Sequence, residues 1–169
     1  MNISRLIFDG LSSGFIFAFT VFILIYHNPR YAIFQMPKSF TKGIVPTTPG
    51  EKKKCLISLS ILYVFLLLFN GYDMAFVYKE LDVSFLTLFY HGYIIGMFMN
   101  VFDIIFLDMI LIPIMKNTFF ELGGNPEKFA NKNVFLKLTI PEHFVSWPII
   151  ICPIVGLITA GICELFMML

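Results

Sequence analysis

The side chains of this sequence best placed to do chemistry are Asn100, Asp103 and Asp108, followed further along by Glu142 and His143. At about 100° per helical residue, Asp103 falls roughly 60° to one side of Asn100 and Asp108 roughly 80° to the other, so the three share a broad face. An aspartate beside a histidine can serve as general acid and base. Asp108, His143 and Glu142 also carry the oxygen and nitrogen donors that zinc or another divalent ion takes. No HExxH-like spacing is present, and the neighbours Glu142 and His143 diverge by about 100° on an α-helix. Asp108 and His143 are therefore only weak metal candidates. The simpler reading is that His143, or Arg30 at the same level, neutralises Asp108.

The remaining candidates are sparser. A haem would need two axial ligands at similar depth. His27 and His143 meet that condition, but His27 stands beside the helix-breaking Pro29. No cofactor follows. His91, between Tyr90 and Tyr93, reads as a residue of an interfacial aromatic belt. Cys55, Cys152 and Cys163 show no CxxC spacing and read as small apolar packing residues.

The elements that must position these residues are membrane spans. Of the 169 residues, 58% are apolar and 14% charged, against about 45–50% and about 25% in soluble domains. The surplus is gathered into runs long enough to cross hydrocarbon, about 20 residues each. Spans are expected at about 6–26, 54–71, 85–113 and 144–166, making residues 1–169 a single polytopic domain. The fold class is all-α, a membrane-spanning four-helix bundle. The apolar run Cys55–Phe69 is short. Phe85–Met115 is too long for one upright crossing and should tilt, project or break near Gly92 or Gly96. Pro153 should kink the fourth span. Thr48, Pro49 and Glu51 have the form of a helix start with a capping box. Tyr31, Ile33, Phe34, Met36 and Phe40 suggest a segment lying on the membrane surface. Gly123-Gly124-Asn125-Pro126 reads as a turn.

Charge sets the expected orientation. Arg5 stands before the first span and Lys79 between the second and third. The first loop carries Arg30, Lys38, Lys42, Lys52, Lys53 and Lys54, and the third carries Lys116, Lys128, Lys132 and Lys137. The positive-inside rule then places loops 27–54 and 116–143 in the cytoplasm and both termini on the outer side of the cell membrane. Asp9, Asp73, His91 and Glu164 would lie towards the outer side. The Lys52–Lys54 run serves as a topological anchor, and the net charge of +1 gives no reason to expect nucleic acid. Gly10, Gly14 and Ala18, and again Gly156 and Ala160, recur at four-residue spacing and form ridges for close helix packing.

The stretches Tyr26-His27-Asn28-Pro29-Arg30, Gln35-Met36-Pro37-Lys38 and Val45-Pro46-Thr47-Thr48-Pro49-Gly50-Glu51-Lys52-Lys53 carry a resemblance. So do Phe102-Asp103-Ile104-Ile105-Phe106-Leu107-Asp108 and Glu142-His143-Phe144. Together they resemble a family of small four-helix bacterial membrane proteins with no assigned activity. Met109 stands where that pattern has Trp, and Gly123-Gly124-Asn125-Pro126-Glu127 where it has a PGTEG-like turn. The resemblance implies the four-helix architecture and draws attention to Asp103, Asp108 and His143.

Three functions fit. The first is binding or translocation of a small ion or proton at an intramembrane site of Asn100, Asp103, Asp108, His143, Glu142 and Arg30, in a homo-oligomer linked through the Gly10/Gly14/Ala18 ridge. The second is an enzyme acting on a lipid-linked substrate at the cytoplasmic face. The third is a non-catalytic subunit packed on a partner in a larger membrane complex.

Overall fold

The computed structural model describes residues 2–35, 41, 43–111, 114–115, 118, 121–122 and 139–169, and every regular element among them is helical. Helix α1 runs Ile3–His27 and begins where the Asn2 side chain accepts the Arg5 backbone N–H. It stops at Asn28, which is extended (φ −144°, ψ 96°) because the ring of Pro29 disfavours helical backbone in the residue before it. A short α2 (Arg30–Gln35) follows. Helix α3 (Pro49–Tyr78) opens with the expected capping box: Thr48 accepts from the Glu51 backbone, and Glu51 accepts in return from Thr48 N–H at 2.7 Å. Ser84 caps α4 (Phe85–Phe102), which continues as a π-helix over Asp103–Leu111. A second π-helix, Glu142–Ile151, leads into α5 (Cys152–Met168).

Four helices are long and apolar enough to cross a membrane: Ile3–His27, Pro49–Tyr78, Phe85–Leu111 and Thr139–Met168. Their outward residues, among them Phe8, Phe15, Ile61, Phe76, Ile149 and Leu165, are large, apolar and exposed. In water such a continuous surface would drive aggregation. In hydrocarbon it is the natural outer face of helices whose backbone groups are bonded internally. The chain is a multi-pass membrane protein.

Several expectations are corrected by this architecture. Helix α3 is not short; it runs on past Asn70 and Asp73, because both polar side chains find partners on α1. The third span does not break at Gly92 or Gly96; it stays helical and changes winding at Asp103. Ala32 and Ile33 of α2 are buried in the core, so this part of the first loop tucks against the bundle instead of lying on the membrane. Met36, Phe40, Pro113 and the Gly123–Pro126 turn lie outside the described residues.

Both termini sit at one end of the bundle. The Asn2 backbone N–H donates to the Tyr78 hydroxyl at 3.2 Å, and the rings of Tyr72 and Phe166 meet edge-on at 5.4 Å. Helix α4 is central, packed between α5 and α1, and α3 closes the bundle against α5. Small residues set the closest approaches. A Cβ on Gly92 would stand 3.1 Å from Gly156 Cα, and one on Gly96 3.2 Å from Cys152 Cα. The rings of Phe98 and Phe102 lie directly on Gly10 and Gly14. Gly10 and Gly14 are thus covered by the chain's own α4, and their close packing is used within the chain. Ala160 and all three cysteines are likewise buried.

Candidate functional site

The site is built on two prolines five residues apart. In the second π-helix the Cys152 N–H donates to Trp147 O, one residue further back than in an α-helix. A proline ring clashes with the carbonyl four residues before it, and the wider π turn relieves that clash at Pro148. With this winding, residue 148 would donate to the carbonyl of His143, and residue 153 to that of Pro148. Both positions are proline and have no N–H, so both carbonyls lose their helical partner. Side chains of α4 replace it. Asn100 Nδ2 donates to His143 O at 2.9 Å, and Tyr93 Oη donates to Pro148 O at 3.3 Å. Pro153 was expected to kink the span; together with Pro148 it opens two acceptors. The glycine contacts between α4 and α5 bring the backbones close enough for the short Asn100 side chain to reach.

Those bonds orient the histidine. Because Asn100 Nδ2 donates to the His143 carbonyl, Asn100 Oδ1 faces His143 Nδ1, at 2.6 Å. Oδ1 can only accept, so Nδ1 carries a hydrogen. His143 Nε2 lies 2.9 Å from Asp108 Oδ2. A single proton therefore serves the Nε2–Asp108 contact, held by the imidazolium or by the carboxyl. His143 and Asn100 are each 2% exposed, and Trp147 beside them, also 2% exposed, closes the floor edge-on against Phe17.

Asp103 and Glu142 complete the cluster. One oxygen from each and a ring nitrogen of His143 all lie within 4.8 Å of one another. Adjacent Glu142 and His143 still diverge along their own segment, but both reach Asp103 on the facing one. Burial is graded, from buried His143 through half-buried Asp103 and Asp108 to exposed Glu142. Tyr63 of α3 lies in the field of both Asp103 and Glu142.

Arg30 is not part of this group. Its Nε donates to Glu51 Oε1 at 2.6 Å, and its Nη2 to Glu51 Oε2 at 3.2 Å and Pro46 O at 2.7 Å. The adjacent carboxylate holds the guanidinium above its ordinary pKa. Arg30 ties α2, the following loop and the start of α3 together. Asp103, Asp108 and Glu142 then have no Lys or Arg ion-pair partner among the described residues.

A second polar network lies towards the other end. Tyr78 Oη accepts from Asn2 N–H, so its own hydrogen is directed to His91 Nδ1, 2.9 Å away. His91 Nε2–H then donates to Asp9 Oδ2 at 3.1 Å, while Arg5 pairs with Asp9 Oδ1 at 3.0 Å and grips Asp73 with two donors. His91 is fully buried in this network and is not an interfacial belt residue. Below it, Ser13 Oγ donates to Asn70 Oδ1 at 2.9 Å, and Asn70 Nδ2 donates to Leu66 O. No buried side-chain polar atom among the described residues lacks a partner. The signal for this network was present in Asp9 and His91, two ionisable residues at similar depth. The roles of Tyr78, Ser13 and Asn70 carried no signal.

Comparison with family models, with curated proteins and with solved structures finds no match for this chain.

Proposed function

We propose that the chain binds a small cation within the membrane, or passes it across, at the cluster of Asn100, Asp103, Asp108, Glu142 and His143. The observation that carries this reading is a charge imbalance among the described residues. Three carboxylates and one imidazole meet in a largely apolar setting, and the basic side chain expected to balance them, Arg30, is taken by Glu51. Ionisable groups inside a bilayer are costly and face partners or water, so this group calls for a cation, whether a proton or a metal. Exposed Glu142 offers the way in. With the lysine-rich loops in the cytoplasm, the cluster opens to the cytoplasmic side and both termini lie outside. A tag on the C-terminus reached only from the outer face of intact cells tests that orientation.

Proteoliposomes carrying the wild-type chain and Asp108→Asn test the function. Reduced proton or ion flux in the variant is expected. Unchanged flux in the variant, with no metal held by the wild-type chain, overturns the reading.

A second reading is favoured by one feature. Phe15, Ala18, Phe19 and Phe22 of α1 face Phe102, Phe106 and Ile110 across an apolar groove of about 230 Å³. Its far wall belongs to the run of residues that carries Asp103 and Asp108. An acyl or isoprenoid chain in this groove would bring a lipid-linked substrate alongside the cluster. A lipid-linked compound that co-purifies with the chain and is consumed by it, but not by Asp108→Asn, would favour an enzyme.

A further inference from the structure

We infer that Asp103, Glu142 and His143 are the ligands of one divalent first-row transition-metal ion. This inference rests on the cation reading above and names the ion.

The donor atoms lie within 4.8 Å of one another and come from two antiparallel segments, the end of the α4 span and the second π-helix. Metal–nitrogen and metal–oxygen bonds of about 2.0–2.2 Å put the ligands of one ion about 3.4 Å apart in a tetrahedral site, so the three side chains close by up to about 1 Å around the ion. Donor type narrows the ion. Calcium and magnesium favour oxygen alone, whereas an imidazole among carboxylates suits zinc, manganese or iron(II). No cysteine sulfur belongs to the group, which removes the thiolate that a soft ion such as copper(I) prefers.

Charge agrees with this choice. Asp103 and Glu142 balance the two charges of a divalent ion, so loading removes most of the excess negative charge of the three-carboxylate cluster. The surroundings of His143 agree as well. A metal-bound histidine almost always donates its other ring N–H to an oxygen, which fixes its orientation. His143 has an oxygen at each nitrogen: Asn100 Oδ1 at Nδ1 and Asp108 Oδ2 at Nε2. Because Nδ1–H is held by Asn100, Nε2 is the nitrogen left to coordinate, and Asp108 turns aside to admit the ion. Three protein ligands also leave positions open for water or a substrate atom, as catalytic metal sites do and closed structural sites do not. Glu142, the exposed ligand, is the one an ion arriving from the interface meets first.

The test uses the full-length chain in lipid nanodiscs, stripped with chelator and dialysed against Zn²⁺, Mn²⁺ or Co²⁺. The expected result is one ion retained per chain, measured by elemental analysis. Co²⁺ should also show visible absorption bands of a nitrogen–oxygen site. Glu142→Gln and Asp103→Asn should weaken retention about 10-fold or more, while Glu164→Gln, at the other end of α5, should not. Because Glu142 is exposed, its variant should fold; elution as a single species with unchanged helicity verifies this. Failure to retain any of the three ions overturns the inference, as does equal retention by Glu142→Gln and Asp103→Asn. No metal binding, with proton flux lost in Asp108→Asn, removes the metal and leaves the cation reading standing. A bound metal with flux untouched in Asp108→Asn removes transport and keeps the site.

Discussion

Asn100 holds His143 at both ends of one short side chain. Its Nδ2 donates to the His143 carbonyl at 2.9 Å, and its Oδ1 accepts from Nδ1–H at 2.6 Å. The first bond replaces the one that Pro148 cannot make, so the same amide repairs the backbone and sets the ring. Replacing it with an isosteric apolar side chain, Asn100→Leu, orphans a buried carbonyl and a buried ring N–H. A loss of about 1–3 kcal/mol is expected, towards the lower end if the unfolded chain finds partners within the membrane. Unfolding in mixed micelles measures it, and a Leu variant as stable as wild type would sink this account of the site.

The α4–α5 contact predicts opposite outcomes for two glycines on one helix. A Cβ on Gly156 would stand 2.8 Å from the backbone oxygen of Phe89, whereas one on Gly161 meets nothing within 4 Å. Gly156→Ala should cost about 1–3 kcal/mol by forcing the helices apart. Gly161→Ala should be neutral or stabilising by about 0.5–1 kcal/mol, because alanine favours helix. Thermal unfolding of the two variants side by side is the check, and the reverse order would refute the packing.

The network at the other end is closed, so each deletion strands a partner. Asp9, 2% exposed, receives both Arg5 and His91. Asp9→Ala should cost about 1–3 kcal/mol by leaving the buried His91 Nε2–H without its acceptor, while Arg5 keeps Asp73. Tyr78→Phe removes only the bond to His91 Nδ1 and the acceptor for Asn2, and should cost about 1 kcal/mol. In the double variant the two losses should not add, since both act through His91. Strict additivity would show that the chain of bonds is not continuous.

The start of α3 gives a milder test. Thr48→Ala removes the cap on the Glu51 N–H and should cost about 1 kcal/mol. Glu51→Gln weakens the grip on Arg30, which spans α2 and the loop before α3. Faster cleavage by protease between α2 and α3 is expected, with cleavage elsewhere unchanged. Equal cleavage of variant and wild type would mean that Arg30 does not hold this loop.

Much of the architecture is legible in the sequence because one solvent dictates it. Apolar runs must become helices in hydrocarbon, so the number of spans and the Thr48–Glu51 start could be read directly. The extent of α3 could not: Asn70 and Asp73 look like the polar end of a span until Ser13 and Arg5 are seen to meet them. At the site, Asp103, Asp108, Glu142 and His143 stood out as ionisable residues in apolar surroundings, and Asn100 stood with them. Reading them by angle alone obscured how Glu142 joins His143, because the two meet over Asp103 of the facing segment. Arg30 was misplaced for a different reason. Depth along the bundle puts it near Asp108, but only the path of the loop shows that Glu51 is its partner. Gly10 and Gly14 were recognised as packing residues, yet periodicity says nothing about whether the neighbour is the same chain or another.

The carbonyls freed by Pro148 and Pro153 have a mechanical consequence. Asn100 and Tyr93 lie two turns apart on α4, and the carbonyls they hold lie one π turn apart on the facing segment. One such bond would act as a pivot; two fix both slide and rotation, like a plate pinned twice. The α4 span and the Glu142–Ile151 segment are thus held to each other at two separate points.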